Sequence, residues 1–308
     1  MIVIAIGHPA HGEAQPQFTD EDQPVGWASI GEGTTGGQGG QVVTVQDAAL
    51  FLRHVKGDGP LIVQIAGTLR LPEVARVGSN KTILGLGSDG VITGRGLNLR
   101  GVHNVIIRNV TIRGAAPDAI NIEDGSHHIW IDHCDLSECG DGLIDIKRGS
   151  DLVTVSWNHF HDHHKTCLLG HSDKPAALQG DQGKLRVTYH HNYFDGTGSR
   201  HPRVRVASLV HVFNNYFRDN DHGVASTMDA GLLVEGNYFE GVKHPLHTQY
   251  GASRQAGRLV ERNNVYVESG PPTNRGSVAE PKQFYDYQLD ATQNIPKIVP
   301  ARAGVGKL

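Results

Sequence analysis

Short apolar runs recur along most of this chain, and each ends in a polar residue followed by an aromatic or aliphatic one. Seven such runs lie between residues 104 and 267: NVIIRNVTI (104–112), HIWIDHCDL (128–136), LVTVSWNHF (152–160), LRVTYHHNYF (185–194), LVHVFNNYF (209–217), GLLVEGNYF (231–239) and RLVERNNVYV (258–267). Each run is too short for a helix of ordinary length and is typical of β structure. The chain therefore repeats one β unit.

The spacing of the repeat predicts the fold. The anchor residues are Asn109, His133, Asn158, Asn192, Asn215, Asn237 and Asn264, at intervals of 24, 25, 34, 23, 22 and 27 residues. A period in the twenties with two short β runs per repeat is typical of a β-solenoid. Leucine-rich repeats share this period, but their L-x-x-L-x-L framework is absent. We predict one all-β domain, a single-stranded parallel β-helix.

The recurring anchor residues are predicted to be structural. At a sharp bend between strands, Asn tolerates a positive φ angle. Its amide can also bond the Asn of the next coil and so form a ladder. The aromatic residues that follow, Tyr193, Tyr216 and Tyr238, are expected to stack inside the solenoid in the same way. We assign no chemistry to these residues.

The segment before the repeats predicts one short helix. Residues 46–56 (QDAALFLRHVK) carry Leu52 and Val55 on one face, with Asp47 near the start. We expect this helix to cap the open N-terminal end of the solenoid and to shield its edge. Residues 61–69 (LIVQIAGTL) predict a strand.

Two other segments depart from the repeat. The interval of 34 residues between Asn158 and Asn192 must project about ten extra residues as a loop, and solenoid insertions often collect on the binding face. The segment from about Ser269 is rich in Pro, Gly and Gln. We expect it to lie along the outside as irregular chain.

Composition predicts a folded protein, and the first residues predict a leader. Apolar residues make up 38% and charged residues 19% of 308 residues. The first residues, MIVIAIGHPAHGEAQPQ, contain a short apolar run without a basic region, which we interpret as the remnant of a signal peptide. We therefore expect residues 1–25 to be a leader or disordered segment, residues 26–308 to be the domain, and the protein to be secreted and extracellular. No apolar run approaches the ~20 residues of a membrane span, so we expect no membrane partner.

Charge and cysteine content add two expectations. The net charge of −4 is too small to indicate a polyanionic partner through bulk electrostatics, and we expect no nucleic-acid partner. Three cysteines, Cys134, Cys139 and Cys167, cannot all pair within the chain. We expect buried thiols, and a Cys134–Cys139 bridge stays open.

Three acids fall at the ends of β runs. Asp141 and Asp145 are four residues apart, so an extended strand keeps both on one face. Asp118 precedes Asp141 by 23 residues, about one coil. Three converging carboxylates suit a hard cation, above all Ca²⁺. The alternative is ordinary solvated acids on turns.

Basic and histidine side chains form two further groups. Lys165 lies in the long interval, and Arg200, Arg203 and Arg205 lie in SRHPRVR. Arginine clusters recognise carboxylates through bidentate contacts, although salt bridges to the three acids are the alternative. The histidine-rich run contains His159, His161, His163, His164 and His171, with Asp162. Such a run can bind zinc, and a catalytic zinc site remains an outside alternative.

The longer motifs resemble those of the pectate lyase family. They are GTTGG (33–37), IWIDHCDLS (129–137), DGLIDIKRGSDLVTVSWN (141–158), HHKTCLLGHSD (163–173), RVTYHHNYFD (186–195) and RHPRVR (200–205), and the resemblance runs in order from about residue 26 to 264. It implies a right-handed parallel β-helix, the architecture that the repeat predicts independently.

The resemblance also implies roles for particular residues. Asp118, Asp141 and Asp145 match the family's primary calcium ligands. Lys165 matches its substrate-binding lysine, and Arg200 and Arg205 match the two arginines of R-x-P-x-x-R, of which the first is the proposed base. Some relatives have a further acid where this chain has Ala116, which puts a second calcium site in doubt.

The implied activity is calcium-dependent β-elimination of polygalacturonate (pectate) from plant cell walls. The C5 proton of galacturonate lies α to the C6 carboxylate. Calcium, Lys165 and Arg205 would neutralise that carboxylate while Arg200 takes the proton. A guanidinium normally keeps its proton, but neighbouring positive charges would favour its neutral form. An alkaline optimum and a monomer are expected.

Several alternative functions remain. Pectin lyases share the fold but act on the methyl-esterified polymer without calcium, so three converging acids argue against that activity. A hydrolytic polygalacturonase would need paired aspartates and a Gly-His-Gly element, which this sequence lacks. A non-catalytic β-helix that only binds acidic polysaccharide would not need Lys165, Arg200 and Arg205 together.

Overall fold

Parallel strands wind into a β-solenoid in the computed structural model, which describes residues 23–308. The predicted parallel β-helix is confirmed, and its strands form three walls. The predicted leader, residues 1–25, falls almost entirely outside the described residues.

The first wall is one parallel sheet with one strand from each of ten coils. Its strands are β1 (Gln41–Val45), β2 (Leu61–Ile65), β5 (Lys81–Gly85), β7 (His103–Arg108), β9 (His127–Asp132), β12 (Asp151–Ser156), β15 (Val187–His190), β18 (Val210–Phe213), β21 (Gly231–Glu235) and β24 (Arg258–Arg262).

Two long strands, β6 (Val91–Arg100) and β8 (Thr111–Glu123), join the other two walls. Their first halves belong to the second wall, with β3 (Thr68–Arg70), β10 (Asp135–Ser137), β13 (His159–His161), β16 (Tyr193–Asp195), β19 (Tyr216–Arg218), β22 (Tyr238–Glu240) and β25 (Val265–Val267). Their second halves belong to the third wall, with β4 (Ala75–Val77), β11 (Ile144–Ile146), β14 (Cys167–Leu169), β17 (Arg203–Arg205), β20 (His222–Thr227) and β23 (His244–His247).

The core follows from the alternation of side chains along each strand. Because the strands pair in register, inward residues form columns from coil to coil. One fully buried column of the first wall contains Ile107, Ile131, Val155, Tyr189, Val212 and Val234. A slip of one residue would turn such a column toward solvent, so the apolar pattern fixes the register.

The predicted asparagine ladder is confirmed over five coils. The amide nitrogen of Asn158 donates to Oδ1 of Asn192 at 3.0 Å. The same bond follows from Asn192 to Asn215, from Asn215 to Asn237 and from Asn237 to Asn264, at 2.9, 2.9 and 3.0 Å. Each of these side-chain amides also donates a hydrogen bond to a backbone carbonyl, and the ladder therefore joins the coils through polar groups.

The predicted positive φ of the ladder asparagines is wrong. The bend lies one residue earlier, at Trp157, His191, Asn214, Gly236 and Asn263, with φ between 50° and 63°. Asn109 and His133 do have positive φ, 57° and 49°, so they occupy the bend and not the ladder. In the coil of His133 the ladder position belongs to Cys134, whose N–H donates to Oδ1 of Asn158 at 2.9 Å.

The predicted position of the tyrosines is also wrong. The inner aromatic stack consists of Phe160, Phe194, Phe217, Phe239 and Tyr266, with ring centroids 4.4–5.1 Å apart. Since neighbouring residues of a strand point to opposite faces, Tyr193, Tyr216 and Tyr238 point outward. Tyr193 and Tyr216 still stack, at 5.1 Å, beneath the C-terminal helix.

Helices cover one end and one side of the solenoid. The predicted cap is α1 (Ala48–Val55), where Asp47 accepts a hydrogen bond from the N–H of Leu50 at 3.0 Å. Phe51 and Val55 are fully buried against the core. The long interval contains α2 (Pro175–Asp181), and α3 (Ile295–Arg302) lies on the second wall.

The remaining expectations concern the outer chain and the cysteines. Residues 269–294 are largely irregular apart from two 3-10 turns, as predicted, but the chain then forms α3. A third 3-10 turn is Trp27–Ser29. All three cysteines are free thiols, and Cys134 and Cys167 are buried, so no Cys134–Cys139 bridge forms. Between residues 23 and 308 no helix is long and apolar enough to cross a membrane.

Candidate active site

Three predicted acids converge on the third wall. Asp118 lies in β8, Asp145 in β11, and Asp141 just before β11. The N–H of Gly142 donates to Oδ1 of Asp118 at 2.9 Å. A Cβ atom at Gly142 would lie 2.2 Å from Oδ1 of Asp145 and 3.5 Å from Oδ1 of Asp118. Glycine at this position therefore leaves room for two carboxylates to face one point.

Asp145 is the buried member of this group, with 5% of its surface exposed. Its Oδ1 is buried and accepts no hydrogen bond from any residue that the structure describes. Burial and the charge of Asp118 raise the pKa of Asp145 to about 7. An unpartnered carboxylate oxygen beside a second carboxylate is costly unless a cation compensates it.

Asp141 is more exposed and already has a cationic partner. Nζ of Lys165 donates to Oδ1 of Asp141 at 2.8 Å. This hydrogen bond holds the pKa of Asp141 below its usual range. Lys165 lies at the start of the long interval, so this insertion borders the three acids.

Arg200 faces the acids from a position just before β17, two coils beyond Asp141. Its Nη1 lies 3.9 Å from Oδ1 of Asp141 and 3.9 Å from Oδ1 of Asp145, and it donates no hydrogen bond within the described chain. Its backbone is fixed, because its carbonyl accepts from the N–H of Cys167 at 2.7 Å and from the hydroxyl of Thr166. The buried Nη1 atom, which makes no hydrogen bond within the described chain, is therefore available to a ligand.

Arg205 is held on β17 by neighbours from the long interval. Its Nε donates to Oδ1 of Asp173 at 2.6 Å, and its Nη1 donates to the carbonyl of Gly170 at 2.8 Å. Asp173 also accepts from the hydroxyl of Ser253 at 2.8 Å. Because a guanidinium has five N–H groups, Arg205 retains donors for a ligand.

Arg203 contacts the loop that contains Tyr250 and Ser253. Its guanidinium lies over the ring of Tyr250, 4.9 Å from the centroid, and Nη2 donates to the hydroxyl of Ser253 at 3.2 Å. It thereby holds residues 250–253 against the third wall. Its predicted contact with substrate stays a prediction.

Sequence reasoning missed the residues that hold these arginines. Asp173 lies inside a family motif but carries no spacing signal of its own. Tyr250 and Ser253 lie in a loop with no repeat pattern. Asn121 was also missed: it pairs with Asp145 in the β8–β11 register, and its Oδ1 is buried without a hydrogen bond among the described residues. Register with Asp145 is the signal that could have found it.

The histidine-rich run does not form one cluster. His159 and His161 belong to β13 on the second wall, whereas Nε2 of His163 contacts the carbonyl of Asp141 at 2.7 Å beside the acids. His171 is exposed. The run is therefore divided between two walls, and within the described chain no zinc-type cluster lies at the carboxylate site.

Comparison with known proteins agrees with this geometry. A family model described as pectate lyase matches residues 13–308. Pectate lyase A of Emericella nidulans is 41% identical over 92% of this chain and 87% of its own length. The pectate trisaccharide-lyase of Thermotoga maritima is 38% identical over 93% of this chain and 89% of its own.

A solved structure matches the fold as well. The pectate lyase of Bacillus sp. N165, determined in complex with trigalacturonate, superposes with a TM-score of 0.85 at 33% identity, over 92% of this chain and 99% of that one. A parallel β-solenoid with carboxylates and fixed cations on one wall is thus the architecture of a polysaccharide lyase. The chain belongs to the pectate lyase family.

Proposed function

We propose that this pectate lyase cleaves polygalacturonate by calcium-dependent β-elimination, leaving 4,5-unsaturated oligogalacturonides. The observation that carries the proposal is the meeting of Asp118 and Asp145 at a buried carboxylate oxygen that accepts no hydrogen bond within the described chain. Lys165 and Arg200 border the same point. The relative from Bacillus sp. N165, solved with trigalacturonate, supports the choice of substrate.

The acids fit calcium. Ca²⁺ takes oxygen ligands in flexible geometry, and Asp118, Asp141 and Asp145 supply only oxygens. The orphaned Oδ1 of Asp145 is the donor that most needs a cation. When bound, calcium would supply positive charge beside the C6 carboxylate of the substrate.

The cationic side chains then act on the substrate. Lys165 uses one of its three N–H groups on Asp141 and has two left for the C6 carboxylate. Arg205 would bind the same carboxylate, and both would stabilise the negative charge that develops when C5 loses its proton.

Arg200 would take the C5 proton, the C4=C5 double bond would form as the C4–O bond breaks, and the leaving oxygen would take a proton from water. Nη1 of Arg200 makes no hydrogen bond in the described chain, so no hydrogen bond of this atom has to break before it approaches C5. A base must lose its own proton before it can accept one from C5. Alkaline pH is therefore expected to favour turnover.

We also propose that the protein acts outside the cell, as a monomer, on the pectate of plant cell walls. The polymer is too large to enter a cell, and the apolar run at residues 1–6 supports a secretory leader. The helix α1 covers the N-terminal end of the solenoid, where an open edge would invite another chain.

Oxygen-18 water distinguishes elimination from hydrolysis. The protein is incubated with polygalacturonate in labelled water, and the masses of the products are measured by mass spectrometry. Elimination gives products lighter than hydrolysis products by one water, with no label from the cleavage step. Labelled, saturated products would replace lyase chemistry with hydrolysis. Cleavage of methyl-esterified pectin alone would indicate a pectin lyase.

A further inference from the structure

A second group of metal-ligating side chains lies on the second wall, away from the carboxylates of the third wall. It consists of Asp135 on β10 and His159 and His161 on β13, whose ligand atoms all lie within 4.8 Å of one another. Asp135 lies opposite His159 in the strand register. His159 and His161 are two residues apart, so both project to the same side, and their rings stack at 4.4 Å.

Asp135 contacts both rings. Its Oδ2 is 3.1 Å from Nδ1 of His159, and its Oδ1 is 3.0 Å from Nε2 of His161. The opposite ring nitrogens face other carboxylates. Nδ1 of His161 is 2.7 Å from Asp162, and Nε2 of His159 is 3.6 Å from Asp195. Each imidazole thus offers one nitrogen inward and has an outer carboxylate on the other.

At His161 this is the arrangement of histidines at zinc sites, where the outer nitrogen donates to a carboxylate that fixes the ring and its tautomer. We propose that Asp135, His159 and His161 bind one zinc-class transition-metal ion. Imidazole and carboxylate donors suit zinc, whereas calcium takes oxygen ligands alone. Neighbouring ligands of tetrahedral zinc are about 3.3 Å apart, close to the two inner contacts. Water would complete the coordination.

Local charge and access favour a cation here. Three carboxylates surround two imidazoles, and Arg218, 3.3 Å from Asp195, offsets only part of that charge. A cleft between the cluster and the C-terminal segment is lined by Asp135, His159, Gly304 and Lys307. The ion can therefore enter from solvent without opening the solenoid.

Ion pairs between protonated histidines and aspartates are the competing explanation of the same contacts. They account for Nε2 of His159 through Asp195 at 3.6 Å, although that nitrogen is buried and makes no hydrogen bond within the described residues. A metal on the inner nitrogens leaves His159 and His161 with only an outer proton each. Because the site joins neighbouring coils of the second wall, the ion would have a structural role.

Zinc binding is measured by calorimetry on tag-free protein at mildly alkaline pH, in excess calcium so that the carboxylates of the third wall are saturated. We expect one zinc per chain for the wild type. His161→Ala and His159→Ala should each abolish this binding. Lyase activity should be unchanged, and circular dichroism should confirm the fold. His171→Ala, which removes an exposed histidine of the long interval, should bind zinc as the wild type does.

Asp162→Asn retains all three ligands and weakens only the outer contact of His161. We expect it to reduce zinc affinity about tenfold or more. Cobalt(II) added instead of zinc should give the visible absorption of a tetrahedral site in the wild type and not in His161→Ala. Absence of zinc binding by the wild type, or equal binding by His161→Ala, would overturn the proposal in favour of ion pairs.

Discussion

Asp145 shows how neighbouring residues can favour the binding of a cation and at the same time lower the stability of the metal-free protein. The carboxylate is buried beside Asp118, and one of its oxygens has no hydrogen bond in the described chain. Its pKa of about 7 lies above the usual range of an aspartate. The stability associated with this raised pKa is present when Asp145 is protonated and is lost as the pH rises through about 7.

Asp145→Asn should therefore change stability and activity in opposite directions. In chelator at alkaline pH we expect the free energy of unfolding to rise by about 1–3 kcal/mol, because a buried charge is removed. With calcium present, lyase activity should fall about 100-fold or more. Urea unfolding and rate assays check both, with the exposed Glu32→Gln as control. A variant that is less stable than the wild type in chelator would contradict this account.

Arg200→Lys tests the assignment of the base. Lysine retains the positive charge but cannot place nitrogen where the guanidinium does. We expect normal circular dichroism and a kcat at least about 100-fold lower. Arg53→Lys, on the exposed surface of α1, should leave kcat unchanged. Substantial turnover by Arg200→Lys would remove Arg200 from the role of base.

His201 should make the protein sensitive to acid. Burial lowers the pKa of His201 to about 3, so the folded state does not accept a proton that the unfolded chain accepts below about pH 6.5. As the pH falls between these two values, the free energy of unfolding should fall by up to about 1.4 kcal/mol per pH unit.

His201→Gln should flatten this part of the pH profile, which denaturant unfolding at a series of pH values measures. The exposed His103→Gln serves as the control. An unchanged slope in His201→Gln would mean that other groups dominate the acid sensitivity.

At the level of the elements, the sequence predicted periodicity better than register. The helix α1 could be predicted because its cap and apolar face are local. The ladder could be predicted from the recurrent Asn residues. Asn109 and His133 were assigned to the ladder, but they occupy the bend, one residue before it. Bend and ladder positions are adjacent, and both accept Asn, so the sequence alone does not separate them. The prediction that the tyrosines lie inside the solenoid was wrong for a similar reason, because each tyrosine is adjacent to the residue that points inward.

The ladder should cost more to break at its centre than at its end. The amide of Asn215 donates to Tyr189 and Asn237, and its Oδ1 accepts from Asn192, all at 2.9 Å. Because Asn215→Ala leaves several buried groups unpaired, we expect a loss of about 3 kcal/mol or more.

The partly exposed Asn264 lies at the end of the ladder and provides the matched comparison. Asn264→Ala should cost about 1 kcal/mol, since water can replace some of its bonds. Thermal and denaturant unfolding of the two variants give the comparison. Equal losses would show that the ladder contributes no cooperative stability.

Across the whole molecule, the solenoid converts sequence intervals of about one coil into lateral contact. This is why Asp118, Asp141 and Asp145 could be predicted to meet, and why Lys165, one coil beyond Asp141, contacts it. Asp173, Tyr250 and Ser253 could not be predicted, because the loops that carry them have no period. Their contacts with Arg203 and Arg205 depend on tertiary packing alone.

The central claim is that this wall performs elimination with calcium. The most direct test is the ultraviolet absorbance of polygalacturonate incubated with the protein at alkaline pH, first with calcium and then with excess chelator. We expect absorbance from unsaturated uronate ends to rise with calcium and to stop rising when chelator is added. Cleavage that continues at the same rate in excess chelator, or reducing ends without this absorbance, would contradict the account.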